Sequence, residues 1–173
     1  MDNVSKGVLK KSCDLSNDKA FRVLVELNPD IVILAQRHQH KSDDFIDLVG
    51  KARLKGVTSK FVLVGPVPQW YPSLPEAIAL RHMDKRDIII KDPYFIDELF
   101  STDSNLTHEL ADSEITYISI LSELCEEESC LAKVDSFNTP IVWDYGHMTL
   151  EGSDYVVGEI VEPIVKKLVS NNR

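Results

Sequence analysis

Positive charge is what this sequence lacks first. Against 28 Asp and Glu stand 19 Lys and Arg, a formal net charge of -9. Nucleic-acid surfaces neutralise phosphates with clustered Lys and Arg, so nucleic acid is excluded as a partner. An anionic membrane surface is disfavoured on the same ground. Long apolar runs are lacking too: none approaches the roughly 20 residues of a transmembrane helix, so direct membrane insertion is not expected. No apolar h-region follows Met1-Asp2-Asn3-Val4-Ser5-Lys6, and the chain as given therefore reads as cytoplasmic. Internal repeats, low-complexity tracts and domain linkers are absent. Cysteine is scarce, with three in the chain. Cys13 stands alone, while Cys125 and Cys130 flank Glu126-Glu127-Glu128-Ser129. Two sulfurs without a second nearby pair leave a tetrahedral zinc site half built, so no metal is expected there. The pair forms either a small disulfide loop of an oxidising compartment or two free thiols of a reducing one; the disulfide is the favoured reading.

What is present suits one domain over residues 1–173. Apolar residues make up 43% and charged residues 27%, ordinary values for a globular chain with a sizeable core. Gly7 to Cys13 is a weak strand candidate. Ser16 or Asn17 can cap a helix from Asp18 to Leu27, which Asn28-Pro29 stops. Asp30 to Ala35 is short, continuous and β-branched, as a buried parallel strand should be. Ser42 can cap a helix over Asp43–Lys55 that ends at Gly56. Lys60 to Val64 is a second buried strand, halted by Gly65-Pro66.

Pro66, Pro68, Pro72 and Pro75 then stiffen a loop that carries Trp70 and Tyr71. A short helix over Glu76–Met83 and an interrupted one from Asp92-Pro93 towards Leu110 follow. Ile115 to Ile120 is a further strand. Val156, Val157, Ile160, Val161, Ile164, Val165 and Leu168 fall at helical spacing, with Pro163 expected to kink or restart that helix. Strands alternating with helices predict an α/β fold with a mainly parallel sheet.

The chemistry concentrates at Ile141-Val142-Trp143-Asp144-Tyr145-Gly146-His147-Met148-Thr149, with Gly152 close behind. An apolar run ends in Asp144, and His147 sits three residues on, before a helix. A carboxylate so placed can fix an imidazole's tautomer and stabilise the imidazolium formed when the ring takes a proton from a nucleophile. At the end of a strand, the pair would face the crevice where open α/β sheets bind ligands. Surface turns also hold Asp-x-x-His pairs, so the spacing alone does not decide.

Three stretches taken together resemble the SGNH/GDSL hydrolase family, and within it the SGNH-like domain of acyltransferase-3 type O-acetyltransferases. Asp144-Tyr145-Gly146-His147-Met148-Thr149 with Gly152 looks like the last family block, whose Asp and His complete a Ser-His-Asp triad. Gly65-Pro66-Val67-Pro68-Gln69-Trp70, followed by Ser73-Leu74-Pro75, is similar to the loop after the family's fourth strand. Asn28 to Arg37 looks like its third strand and the crevice residues beyond.

The resemblance implies a three-layer α/β/α, flavodoxin-like sheet of order 2-1-3-4-5. It also exposes what is missing. The family's Gly-Asp-Ser block, which supplies the nucleophile, does not occur here. Val4 to Lys11 would be the second strand, so the first strand and first helix would lie upstream of Met1, and the domain reads as N-terminally incomplete. Where the family offers an oxyanion-binding Asn stand Gln36, Arg37, His38 and Gln39; Gln36 or the Arg37 backbone is the implied donor. Gly7 is a poor match for the glycine of the second block.

The implied activity is acyl-ester hydrolysis or O-acyl transfer on cell-surface polysaccharide, with His147 as general base, Asp144 as its orienter and no cofactor. Its partners would be an O-acylated carbohydrate or acyl donor and an upstream acyltransferase membrane domain. Such a parent protein is membrane-anchored with this domain periplasmic. Ser5, Ser12 and Ser16 are too early and too loosely placed to be the nucleophile, and suit caps or surface positions. The alternative is an inactive remnant or carbohydrate-binding module of the same fold, using Trp70 and Tyr71; simple packing is the plainer role for those two rings. A metal hydrolase built on His38, His40, Asp144 and His147 is a weaker third reading, because Arg37 and the neighbouring glutamines suggest a polar loop. His82 and His108 suit the surface, and Glu126 to Glu128 a solvated loop.

Overall fold

Strand β2 (Lys60–Val64) lies at the centre of the main sheet, with β1 (Ile31–Ala35) on one side and β4 (Ile115–Ile118) on the other, both parallel to it. The computed structural model describes residues 8–36, 41–84, 87–91, 98–127, 129–135 and 137–170. Phe61, Val62 and Leu63 are completely buried. Each such side chain contributes about 1.5–3 kcal/mol relative to exposure, and a strand apolar at every position belongs where both faces are covered. Successive side chains point to opposite faces, so the strand feeds two cores. Phe61 and Leu63 join Phe45, Val49 and Ala52 of helix α2 (Ser42–Leu54) and Leu106 of α4 (Glu98–Glu109). Val62 faces Trp70, Leu74, Ile141, Val142 and Ile160 on the other side. The arrangement is the expected α/β/α layering.

Helix α1 (Val8–Leu27) corrects the reading of Gly7 to Cys13 as a strand: residues 8 to 13 are its first turns. Ser16 and Asn17 lie in its interior rather than capping it, with side chains exposed to solvent, where a weak helix former costs little. Val4 and Gly7, with Ser5, lie outside the described residues. Ser42 is the first residue of α2, and instead of capping the helix its hydroxyl donates to Glu109 of α4. The helix expected over Glu76–Met83 begins earlier, as α3 (Leu74–Ala77), capped by Ser73 and continued by a π turn over Ile78–His82. Ile120 leaves the strand and starts α5 (Ile120–Leu124), because the Ser119 hydroxyl accepts the Ser122 N–H at 3.0 Å and opens a helix.

A second, antiparallel sheet of order β3-β6-β5 joins β3 (Ile89–Lys91), β5 (Cys125–Glu126) and β6 (Ser129–Leu131). Cys125 pairs opposite Cys130 and the two are joined by a disulfide. Cys13 is free and exposed. The acidic stretch is thus the tip of a hairpin, with Glu126 and Glu127 exposed. The C-terminal helix runs as α6 (Leu150–Tyr155), a π segment (Val156–Val161) and α7 (Glu162–Ser170). Pro163 is the second residue of α7, directly after the π segment, and the helix runs on through it without the restart expected there. Among the described residues, β1 is bonded to a strand on one side only, and Ile33 at its middle is 53% exposed.

Candidate active site

The loop from Ile141 to Thr149 leaves the sheet and folds back on itself. Val142 bridges Met148, the Trp143 N–H donates to the His147 carbonyl at 2.8 Å, and the Thr149 N–H donates to the Ile141 carbonyl at 3.0 Å. Thr149 also closes the loop onto α6. Its hydroxyl donates to the Pro140 carbonyl at 2.8 Å and accepts the Gly152 N–H at 2.9 Å, capping the helix. Gly152 is required here: a Cβ would collide with the Ile141 carbonyl oxygen.

Asp144 sits inside this fold-back with both oxygens engaged. Oδ1 accepts the backbone N–H groups of Gly146 and His147 at 2.9 and 2.8 Å, and Oδ2 lies 2.7 Å from Nδ1 of His147. Desolvation pushes the carboxyl up, but the two backbone N–H groups and the His147 ring outweigh it and hold the pKa down at about 2. An ionised Asp144 makes Nδ1 the protonated ring nitrogen and leaves Nε2 as the acceptor. The ring is also held by its neighbours: Trp143 stacks on it at 5.5 Å between centroids, and Tyr145 meets it edge-on at 5.3 Å. Half of the His147 side chain still faces solvent (47%). The arrangement is an oriented imidazole with an open face.

The proline-rich loop after β2 is tied to the same turn. The Trp70 N–H donates to the Tyr145 carbonyl at 2.9 Å and the Leu74 N–H to the Asp144 carbonyl at 3.2 Å. Between loop and turn lies a crevice of about 360 Å³ at the C-terminal ends of β1 and β2, lined by residues that include Gln36, Gly65, Gln69, Gly146 and His147. Open parallel sheets bind ligands at that end. Beneath it, Tyr117 packs so close to Gly65 that any side chain there would strike its hydroxyl. Tyr117 and Ser119 donate to the two oxygens of buried Asp103 at 2.5 and 2.6 Å. Burial, with the hydrogen bond to Asp103 and its charge, pushes the Tyr117 phenol far up, so it stays a neutral donor.

The other expected site residues separate. Gln36 is exposed at the crevice, whereas Arg37, His38, Gln39 and His40 lie outside the described residues. Trp70 is completely buried and serves the core, not a sugar-binding surface; Tyr71 beside it is 74% exposed. His82 is buried, contrary to expectation, and accepts the buried Lys133 ammonium at its carbonyl at 2.9 Å; His108 is exposed. Ser12 and Ser16 are exposed on α1. Sequence reasoning missed Gln69, the Asp103 network and buried Lys133. A polar residue inside a proline-rich loop signalled the first; nothing in the pattern signals the other two.

The profile of the family described as the SGNH domain fused to AT3 domains matches residues 2–162. This chain belongs to that family. No curated protein matches the SGNH domain described here. A solved structure similar to this SGNH domain is the periplasmic domain of the lipopolysaccharide acetyltransferase of Salmonella ser. Paratyphi A, with a TM-score of 0.72 and 24% identity. The match covers 86% of this chain and 62% of that one, so the SGNH domain here spans less than two thirds of its structural neighbour. At that identity the likeness establishes the shared α/β fold.

Proposed function

We propose that this SGNH domain transfers or hydrolyses O-acyl groups of cell-surface polysaccharide, with Asp144 and His147 forming two-thirds of a Ser-His-Asp triad. The observation that carries the reading is the 2.7 Å bond from His147 Nδ1 to an Asp144 carboxylate held ionised, at the mouth of a crevice. In the reaction, the serine Oγ attacks the acyl carbonyl carbon while Nε2 takes its proton. The tetrahedral intermediate collapses with release of the donor oxygen, which accepts that proton from the imidazolium. The acyl-serine then passes its group to a sugar hydroxyl, or to water, deprotonated by the same Nε2. Gln36 or the Arg37 backbone is the proposed donor to the oxyanion, and no cofactor takes part. The family's fusion to AT3 domains and the name of the structural neighbour support a membrane-embedded acyltransferase domain as partner and an extracytoplasmic location. The Cys125–Cys130 disulfide suits an oxidising compartment. Among the described residues, no helix is long and apolar enough to cross a membrane.

The serine is proposed to arrive on a strand and helix ahead of Met1. What supports this is the β1 edge, which among the described residues pairs with no second strand and exposes Ile33 beside a groove also lined by Phe21, Leu24 and Gln36. The test is hydrolysis of 4-nitrophenyl acetate by the chain as given and by a fusion carrying a family-type Gly-Asp-Ser strand and helix ahead of Met1. The unfused chain should match its His147→Ala variant, and the fusion should gain turnover that requires Asp144 and His147. A fusion that folds but stays inactive would favour the non-catalytic binding module.

A further inference from the structure

We propose that Gln69 is a sugar-binding residue of this site, hydrogen-bonding a ring hydroxyl that neighbours the esterified oxygen; the inference rests on the acyl-ester reading above. Three observations converge on it. First, Gln69 is placed by both partners of the site. Its neighbour Trp70 is buried and bonded through its N–H to Tyr145, and the Gln69 side chain crosses the turn at Gly146, between Tyr145 and His147. A Cβ on Gly146 would lie 2.8 Å from Gln69 Cγ, 3.2 Å from Cδ and 3.5 Å from Nε2, so the absence of a side chain at Gly146 is what lets the Gln69 side chain lie against the turn as it does. Second, that carboxamide lines the crevice that His147 lines, amid Val64, Gly65, Pro66, Val67 and Met148. Third, it makes no hydrogen bond with any described residue, although it is half-buried.

A half-buried polar group without an internal partner is satisfied by water or by a ligand. Small-molecule sites are mostly apolar with a few fixed polar groups that set orientation, and Gln69 is such a group here. A carboxamide offers two donors and one acceptor. A sugar hydroxyl, itself donor and acceptor, matches it whichever way the amide is turned, whereas an acyl carbonyl matches only the NH2 end. The position also fits. Gln69 follows β2, one strand over from Gln36 at the end of β1, and it touches the turn that carries the general base. It therefore contacts the alcohol portion of the ester, whose oxygen His147 must reach, and not the acyl portion.

The test is binding to the 173-residue chain, followed by NMR on the His147 ring protons. Two probes are used: methyl 3-O-acetyl-α-D-glucopyranoside and its 2,4-dideoxy counterpart, which lacks the flanking hydroxyls. Wild type should bind the hydroxylated probe about tenfold more tightly, the worth of one or two neutral hydrogen bonds. Gln69→Ala should abolish that preference while leaving the affinity for the dideoxy probe unchanged. If Gln69→Ala keeps the preference, or weakens both probes equally, the residue only packs the turn and the inference fails while the site reading stands. If neither probe moves the His147 signals of wild type, the site reading itself fails and takes the inference with it.

Discussion

The two flanks of β2 are built to different standards. Towards β4 and the C-terminus, the Asp144 turn is held at many points: Thr149 closes the loop, Gly152 packs against the Ile141 carbonyl, and the Pro-rich loop is sewn to Tyr145 and Asp144. Towards β1 and α1, Leu15, Val23, Leu27 and Ile33 lie exposed, and a groove separates helix from strand. Among the described residues nothing pairs with the outer edge of β1. The contrast teaches that the orientation of His147 is set by contacts within this chain, whereas the β1 flank leaves apolar side chains at the surface. Orientation of His147 and cover of the β1 edge are separable problems.

The largest effect expected from that separation is chemical. In the serine-bearing fusion, Asp144→Asn should lower kcat about 10⁴-fold, far more than the accompanying modest fall in melting temperature explains, since the loss is of tautomer control and imidazolium stabilisation. A drop of less than tenfold would show that the turn does not orient the base. Next comes packing. Gly152→Ala drives a methyl group into backbone that cannot yield, and should cost about 3 kcal/mol in urea unfolding. A neutral result would mean that the turn is looser than its hydrogen bonds imply.

A smaller effect follows from charge. The native Asp144 carboxyl titrates at about 2, below its ordinary 3.8, so the unfolded chain binds more protons across that interval. The stability it contributes is present in full above the ordinary value and is lost as pH falls towards 2. Between about pH 5 and about pH 2.5, the urea midpoint of wild type should fall further than that of Asp144→Asn. Parallel declines would remove Asp144 from the acid limb. The smallest effect is reserved for the other flank. Ile33→Ser should change the stability of the present chain by no more than about 0.5 kcal/mol. In the fusion the same substitution should cost several times as much, because Ile33 would then be covered. Equal costs would show that the added strand does not reach β1.

The legibility of the chain divides along the same line. Lys60 to Val64 could be bounded to the residue, because five apolar-rich positions between Ser59 and Gly65-Pro66 leave little choice. Asp144 and His147 are suggested by their spacing and singled out by the family resemblance of the stretch around them, and the fold-back supplies the 2.7 Å bond. The start of α1 is poorly legible because the family order points to a strand there, and because polar residues inside an exposed helix look like caps. The second sheet escaped notice since strands of two or three residues carry no period. His82 and Lys133 could not be foreseen, because burial of a polar side chain is decided by distant partners.

The π segment at Val156–Val161 has a consequence for what the sequence can lose. An α-helix is a screw in which one residue more or less turns everything beyond it by about 100°. A π turn holds one residue more than its α counterpart, so it stores slack in the thread. Removing Gly158, whose α-carbon faces open space, should let that turn relax to α geometry and leave the apolar face of α7 aimed at the core. Removing Lys166, further along in regular helix, has no such slack to draw on. It would swing Leu168 away from the core it packs against and from Lys60, whose ammonium donates to the Leu168 carbonyl at 2.6 Å. The helix that backs the Asp144 turn is thus tolerant of length at one place and intolerant two turns later.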